Sequence, residues 1–208
     1  MSDFSRRPIA ARNSGWAGRA ARWLVRTDVT PNQISIASVG FAALAFGAFW
    51  ASADVPALPR AALLIFGAMA CQFRLICNLL DGMVAIEGGK KAPDGPFWNE
   101  APDRLADGLI LVGFGLAAGA PAHGWAAASL AILTAYLREL GRAEGMAADF
   151  GGPLAKPQRM ALVTGGAVLG IIWPHLLFLT LVILIAGTAL TAALRAQRLV
   201  RWLRDRVQ

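Results

Sequence analysis

A succession of apolar runs, most of them near twenty residues long and separated by short polar or Pro-rich breaks, limits this chain more than any other feature. The runs cover about 32–53, 61–86, 99–119, 125–141, 160–173 and 176–194. Roughly 20 apolar residues cross a hydrocarbon layer of about 30 Å. With 208 residues of which 56% are hydrophobic, the chain is too apolar for an ordinary soluble domain. The expected fold class is all-α integral membrane, with six transmembrane helices in residues 31–208 and an N-terminal amphipathic interfacial helix in residues 1–30. The second run exceeds what hydrocarbon requires, so its last turns are expected in the headgroup layer.

Charge gives the orientation. Twenty Lys and Arg against thirteen Asp and Glu leave +7, and nearly all the basic residues lie before residue 30, in 87–98, in 138–159 and in the tail. The three opposite breaks hold only Arg60. Basic loops stay on the cytoplasmic side, so both termini and the segments rich in Arg are expected there, in a cell inner (cytoplasmic) membrane. Such placement suits anionic lipid headgroups as partners, and nucleic acid is not expected. Six Arg precede the first run and no small-residue cleavage site follows a short apolar core, so the first span is expected to be retained. Between Trp16 and Arg26, Trp16, Ala20, Trp23 and Leu24 share one helical face and Arg19, Arg22 and Arg26 a neighbouring one. That is the layout of a helix lying on a bilayer surface, with a disordered basic arm as the alternative. Thr30, Pro31 and Gln33 read as the N-cap, first helical residue and capping-box partner of the next helix. Cys71 and Cys77, six apart on different helical faces, are expected as unpaired thiols.

Residues 74–107 concentrate ionisable groups at the ends of two otherwise apolar runs. A charged side chain costs roughly 2.5 to 3.5 kcal/mol at mid-helix on insertion scales and is rarely kept without a use. Arg74, Asn78, Asp81 and Ala85 recur at intervals of four, three and four, and Asn99, Asp103 and Asp107 at intervals of four. Each set therefore lines one helical stripe, and the 87–98 loop joins the two stripes at one membrane face. Clustered carboxylates repel unless a cation holds them together. All-oxygen ligands favour Mg²⁺ or Mn²⁺, whose shells are commonly completed by phosphate oxygens and water. Arg74, Lys90, Lys91, Arg138, Arg142, Lys156 and Arg159 lie at the same level and can neutralise phosphate. The plainer alternative is that these charges pair with neighbours such as Arg104 and only set topology.

Asn78, Asp81, Gly82, Ala85, Ile86, Gly95, Asn99 and Asp103 hold every spacing of the pattern D-x2-D-G-x2-A-R-x8-G-x3-D-x3-D. In this the chain resembles the CDP-alcohol phosphatidyltransferase family, and the start of its first membrane helix, Val29 to Ser35, and its six-run plan are similar to that family's. The resemblance implies a divalent metal pair binding the diphosphate of a CDP-linked lipid such as CDP-diacylglycerol. It implies that a polar alcohol attacks the phosphorus bearing the lipid and that CMP leaves. Carried over by position, Asn78, Asp81, Asn99 and Asp103 are metal ligands, with Asp107 as a replacement ligand one turn on. Asp103 is also the catalytic base, and Gly82, Ala85 and Gly95 are nucleotide-binding positions of close approach. Arg138, Arg142 and Lys156 are phosphate or acceptor sites, and a homodimer is implied. The departures are Asn78 and Asn99 for two Asp, and Ile86 for Arg. Two other classes stay open: a silent relative that binds lipid or nucleotide without turnover, and a small transporter, which the one-sided acids and missing repeat disfavour.

Overall fold

The computed structural model describes residues 14–90 and 92–206, so residues 1–13 of the expected interfacial segment and Lys91 lie outside the described residues. Every regular element among the described residues is helical: α1 (Gly15–Val25), α2 (Pro31–Ala51), α3 (Ala57–Glu87), α4 (Gly95–Ala117), α5 (Pro121–Ala143), α6 (Lys156–Leu169) and α7 (His175–Asp205). Local chemistry starts several of them. The Thr30 hydroxyl accepts from the Gln33 N–H at 3.2 Å while the Gln33 side chain accepts from the Thr30 N–H at 2.9 Å, closing the expected capping box. Pro31 and Pro121 open α2 and α5, and Pro157 sits in the first turn of α6, where the missing N–H costs nothing. Pro102 departs from this rule. It lies inside α4, because that helix begins at Gly95, ahead of the position a first-turn Pro would suggest.

Helices α2 to α7 run up and down. Arg60, near the start of α3, donates to the Ala117 carbonyl at the end of α4 at 3.4 Å. Asn32 at the start of α2 reaches Asp94, just before α4, at 3.3 Å. Lys90 donates to the Thr27 carbonyl at 2.5 Å. One end of the bundle therefore gathers α1, the 88–94 loop, the 144–155 segment and the end of α7. The core is built from Ala, Leu, Ile and Phe on all six helices, with Phe49 and Phe114 meeting edge to face at 5.5 Å. Backbones come close where glycine allows it: a Cβ at Gly115 would lie 2.6 Å from the Gly124 Cα.

The expectation of six transmembrane helices is overturned. Among the described residues three helices, α2, α3 and α7, are long and apolar enough to cross a membrane. The other three fail for different physical reasons. Helix α4 carries Glu100, Asp103, Arg104 and Asp107 in its first half. Helix α5 is diluted by Ala, Gly, His, Ser and Thr. Helix α6 has 14 residues, about 21 Å at 1.5 Å per residue, short of the roughly 30 Å of hydrocarbon. Helix α7 runs on past the expected end at 194, and carries the Arg-rich tail as helix to Asp205.

Helix α1 is present, and it rests on α3 through a face that the sequence left unassigned. Ala17 and Ala21 are buried against Leu79, Leu80, Met83 and Val84 at the end of α3, while Trp16 (44% exposed) and Trp23 (65%) face away. Small residues let the helix lie close on α3, which the larger Trp side chains would prevent. Cys71 and Cys77 are unpaired thiols, as expected.

The α4–α5 approach is tested by Gly115→Val, which is expected to lower stability by about 1–3 kcal/mol through overpacking, read as a reduced Tm in detergent. Gly40→Ala, where a Cβ meets nothing within 4 Å, is expected to leave Tm unmoved or slightly raised. Equal behaviour of the two variants would contradict the close approach.

Candidate active site

The last four turns of α3 and the first half of α4 meet at the basic end of the bundle, with the start of α6 against them. Arg74 has no solvent exposure. Its Nη2 donates to Asp103 Oδ1 at 3.1 Å and to Asp107 Oδ1 at 2.8 Å, so one nitrogen ties two acids one turn apart. Asn78, one turn further along α3, donates through Nδ2 to the same Asp103 Oδ1. The Lys156 ammonium takes Asp103 Oδ2. Asp107 is closed on its other side by Arg159 Nη2 at 3.2 Å, and Arg159 is itself fixed by Thr134 Oγ1 at 3.3 Å and the Leu154 carbonyl at 3.2 Å. Nε and Nη1 of Arg74 have no hydrogen-bond partner among the described residues, so the guanidinium keeps donor capacity that the acids do not use.

Asp81 differs from the other two acids. It is 6% exposed and makes no ion pair among the described residues. Its Oδ2 accepts from the Ser35 hydroxyl at 2.7 Å and its Oδ1 from the Gly82 N–H at 2.6 Å. Its hydrogen-bond partners are all neutral, and Lys156, the nearby cation that acts on it, is bonded to Asp103, so a buried carboxylate here is compensated only in part. Gly82 lies beside it, and a Cβ at Gly82 or at Gly95 would meet nothing within 4 Å. Ala85 is half-buried one turn on.

The two stripes converge in part. Asn78, Asp103, Asp107 and Lys156 form one bonded cluster, and Asp81 follows Asn78 by three residues on the same face of α3. Asn99 stays out of it: it is exposed and its side chain donates to Glu100 at 3.4 Å. Steps of four residues turn a helix by about 400°, so a stripe drifts by about 40° each time, and Asn99 lies two steps from Asp107. Arg138 and Arg142 belong to a second charged group. Arg138 is buried, paired with Glu100 and with Glu139 at 2.8 Å, and lies 5.3 Å from the Phe150 ring centroid. Arg142 pairs with Glu139 at 2.8 Å and is exposed. Glu100 also pairs with Arg104. The sequence reading missed Ser35 as a site residue; a lone hydroxyl one turn into an apolar helix was the available signal. It also named Arg74 and Arg159 for phosphate, where the structure has them paired with acids.

The cluster's fit to a divalent cation can be judged from its donors. No three Asp, Glu, His or Cys side chains converge among the described residues, which excludes a centre made of carboxylates alone. The Asp81 carboxylate, which makes no direct ion pair among the described residues, and the Asn78 side-chain oxygen, which accepts no hydrogen bond from them, are hard oxygen donors of the type Mg²⁺ and Mn²⁺ take, with Asp103 adjoining through Asn78. These residues fit one such ion completed by ligand or water oxygens.

No family model matches the chain. Among curated proteins it is 30% identical over 125 residues to a phosphatidylinositol phosphate synthase of Mycobacteroides abscessus, covering 53% of this chain and 55% of that protein. It is 31% identical over 155 residues to a bifunctional IPC transferase and DIPP synthase of Rubrobacter xylanophilus, covering 71% and 33%. The chain thus spans about half, or less, of the length of these two relatives. A phosphatidylinositol phosphate synthase of Mycobacterium marinum is 28% identical over 186 residues, 84% of this chain and 75% of that one. Two crystal structures of the Mycobacterium tuberculosis phosphatidylinositol phosphate synthase superpose on it at 22% identity. One has CDP-DAG bound, with TM-score 0.76 and 89% and 94% of the chains covered. The other is a complex with manganese and citrate, with TM-score 0.75 and 88% of each chain covered. The chain has the phosphatidylinositol phosphate synthase fold. That agreement extends over nearly nine-tenths of the chain.

Arg74→Met would leave two buried acids short of a partner and is expected to cost about 3–5 kcal/mol, measured as a fall in Tm. Arg206→Ala, at an exposed pair with Glu144, is expected to change stability by less than about 1 kcal/mol. A harmless Arg74→Met would contradict the central role given to this ion pair.

Proposed function

We propose that the chain is a membrane phospholipid-synthesis transferase. It moves a phosphatidyl or other phospho-alcohol group from a CDP-linked lipid, CDP-diacylglycerol in the first instance, to the hydroxyl of a polar alcohol, releasing CMP with help from Mg²⁺ or Mn²⁺. The observation that carries this reading is the junction of Asn78, Asp81, Asp103 and Lys156 at the basic end of a bundle with the synthase fold.

In-line displacement at phosphorus depends on positioning and charge neutralisation more than on covalent help. Asp81 and Asn78 would hold a dication, which when bound would neutralise diphosphate charge, and the Ser35 hydroxyl fixes the Asp81 rotamer. The open space at Gly82 and Gly95, with Ala85 a turn away, admits the nucleotide without side-chain obstruction. Lys156 turns from Asp103 to a phosphate oxygen, which frees Asp103 Oδ2 to accept the acceptor's hydroxyl proton. The acceptor oxygen bonds to the lipid-bearing phosphorus, the bond from that phosphorus to CMP breaks, and CMP departs with the electron pair. Arg138 and Arg142 line the acceptor side, Asn99 and Asp107 support from the periphery, and α1 lies on the headgroup layer with Trp16 and Trp23 toward lipid. The basic end faces the cytoplasm and the protein works as a homodimer in the cytoplasmic membrane.

One observation favours a second reading, a relative that binds nucleotide or lipid without turnover. Both oxygens of Asp103 are taken by cations, and Asn99 points away from the cluster. The two readings part in an assay of purified protein with CDP-diacylglycerol, Mg²⁺ or Mn²⁺ and a panel of polar alcohols. Transfer predicts CMP release that needs one alcohol and is abolished by chelator. Asp81→Asn and Asp103→Asn are each expected to lower it by about 10²–10⁴. Nucleotide binding with no CMP under any alcohol would replace the transfer reading with the silent one.

A further inference from the structure

We infer that Arg74 and Lys156 are built-in cations of this pocket, and that it therefore takes one divalent ion, on the Asn78–Asp81 side, in place of the pair that the sequence motif implies. The inference rests on the transfer reading for its ligand, a diphosphate, and on this chain's own contacts for its charges.

The charges balance before any ion binds. Asp81, Asp103 and Asp107 carry three negative charges, and Arg74, Lys156 and Arg159 carry three positive ones, all of them in one bonded or adjoining group. The distribution is uneven. Asp103 and Asp107 have each of their four carboxylate oxygens bonded to Arg74, Lys156 or Arg159, while Asp81 has only Ser35 and the Gly82 N–H. A single dication beside Asp81 falls where no cation is bonded and where the nearby one, Lys156, is held by Asp103. Its two charges match the two ionised oxygens of a diphosphate diester, so the loaded pocket is neutral again. A second dication at Asp103 would have to displace a guanidinium that has no solvent exposure and an ammonium that is nearly as buried. It would also add two charges with nothing to offset them in a low-dielectric site. Arg74 cannot simply swing away, since its Nη2 also holds Asp107, which Arg159 closes from the other side. Asn78 fits the same logic: as an amide it donates to Asp103 and offers its oxygen to an ion without adding an acid that would call for more cation.

The count of bound ions tests this without reference to turnover. Full-length protein in detergent is titrated with Mn²⁺, and free Mn²⁺ is followed by electron paramagnetic resonance. One Mn²⁺ per chain is expected, and Asp81→Asn is expected to weaken it by at least about tenfold. Asn78→Asp alone, with Arg74 in place, is expected to stay at one. Asn78→Asp combined with Arg74→Gln, which exchanges a cation for an acid within one helical turn, is expected to reach two. Two Mn²⁺ in the unaltered protein, none at all, or two in Asn78→Asp alone would overturn the inference. Should the double variant not fold, the unaltered protein and Asn78→Asp still decide the matter. Failure of CMP release would remove the transfer reading and leave the count standing, so the two cannot be confused.

Discussion

The buried guanidinium of Arg74, held between Asp103 and Asp107, is the interaction on which the basic end of this bundle depends. It joins α3 to α4 deep below the surface, and through Asp103 and Asp107 it brings Lys156 and Arg159 of α6 into the same group. Ions in such surroundings lose their hydration and are tolerable only when geometry and hydrogen bonds compensate. Here the compensation comes from three helices at once. Separation of any one of them would strand a charge, so the ion cluster specifies how the helices meet.

The apolar bundle and the charged end divide the labour. Away from the cluster, Ala and Gly allow close backbone approach, as at Gly115 and Gly124, and Phe49 with Phe114 fills the space between α2 and α4. At the charged end the chain is stitched by polar contacts that cross long sequence distances. Lys90 ties the α3–α4 loop to the end of α1, and Arg195 donates to the Gly151 carbonyl at 2.9 Å and the Thr134 carbonyl at 2.7 Å. The loops around the site are thereby anchored to helices, and a pocket for a charged ligand needs that rigidity if the cost of ordering it is not to fall on binding.

Much of the candidate site was readable from spacing. The registers of Asn78 with Asp81 and of Asp103 with Asp107 follow from helical periodicity, and the capping box at Thr30 follows from residue chemistry alone. Span counting was less successful. A hydropathy run reveals that a helix avoids water, but charge in α4, dilution in α5 and shortness in α6 separate these from α2, α3 and α7, the helices long and apolar enough to cross a membrane among the described residues. The sequence did not say which face of α1 meets α3: it is the one small enough to come near, Ala17 and Ala21, and Trp16 and Trp23 face away from the bundle.

Local order along the chain thus determined where α2 begins, which residues share a face and which end of the bundle is basic, because caps, periodicity and charge blocks act over a few neighbouring residues. Only the tertiary structure decided that Lys156 would meet Asp103 and Arg159 would meet Asp107, partners 53 and 52 residues apart, and that Asn99 would be turned away. Pairing at such distances depends on the rotation of each helix about its axis and on the depth at which it packs. Those are properties of the whole core, and no single segment encodes them.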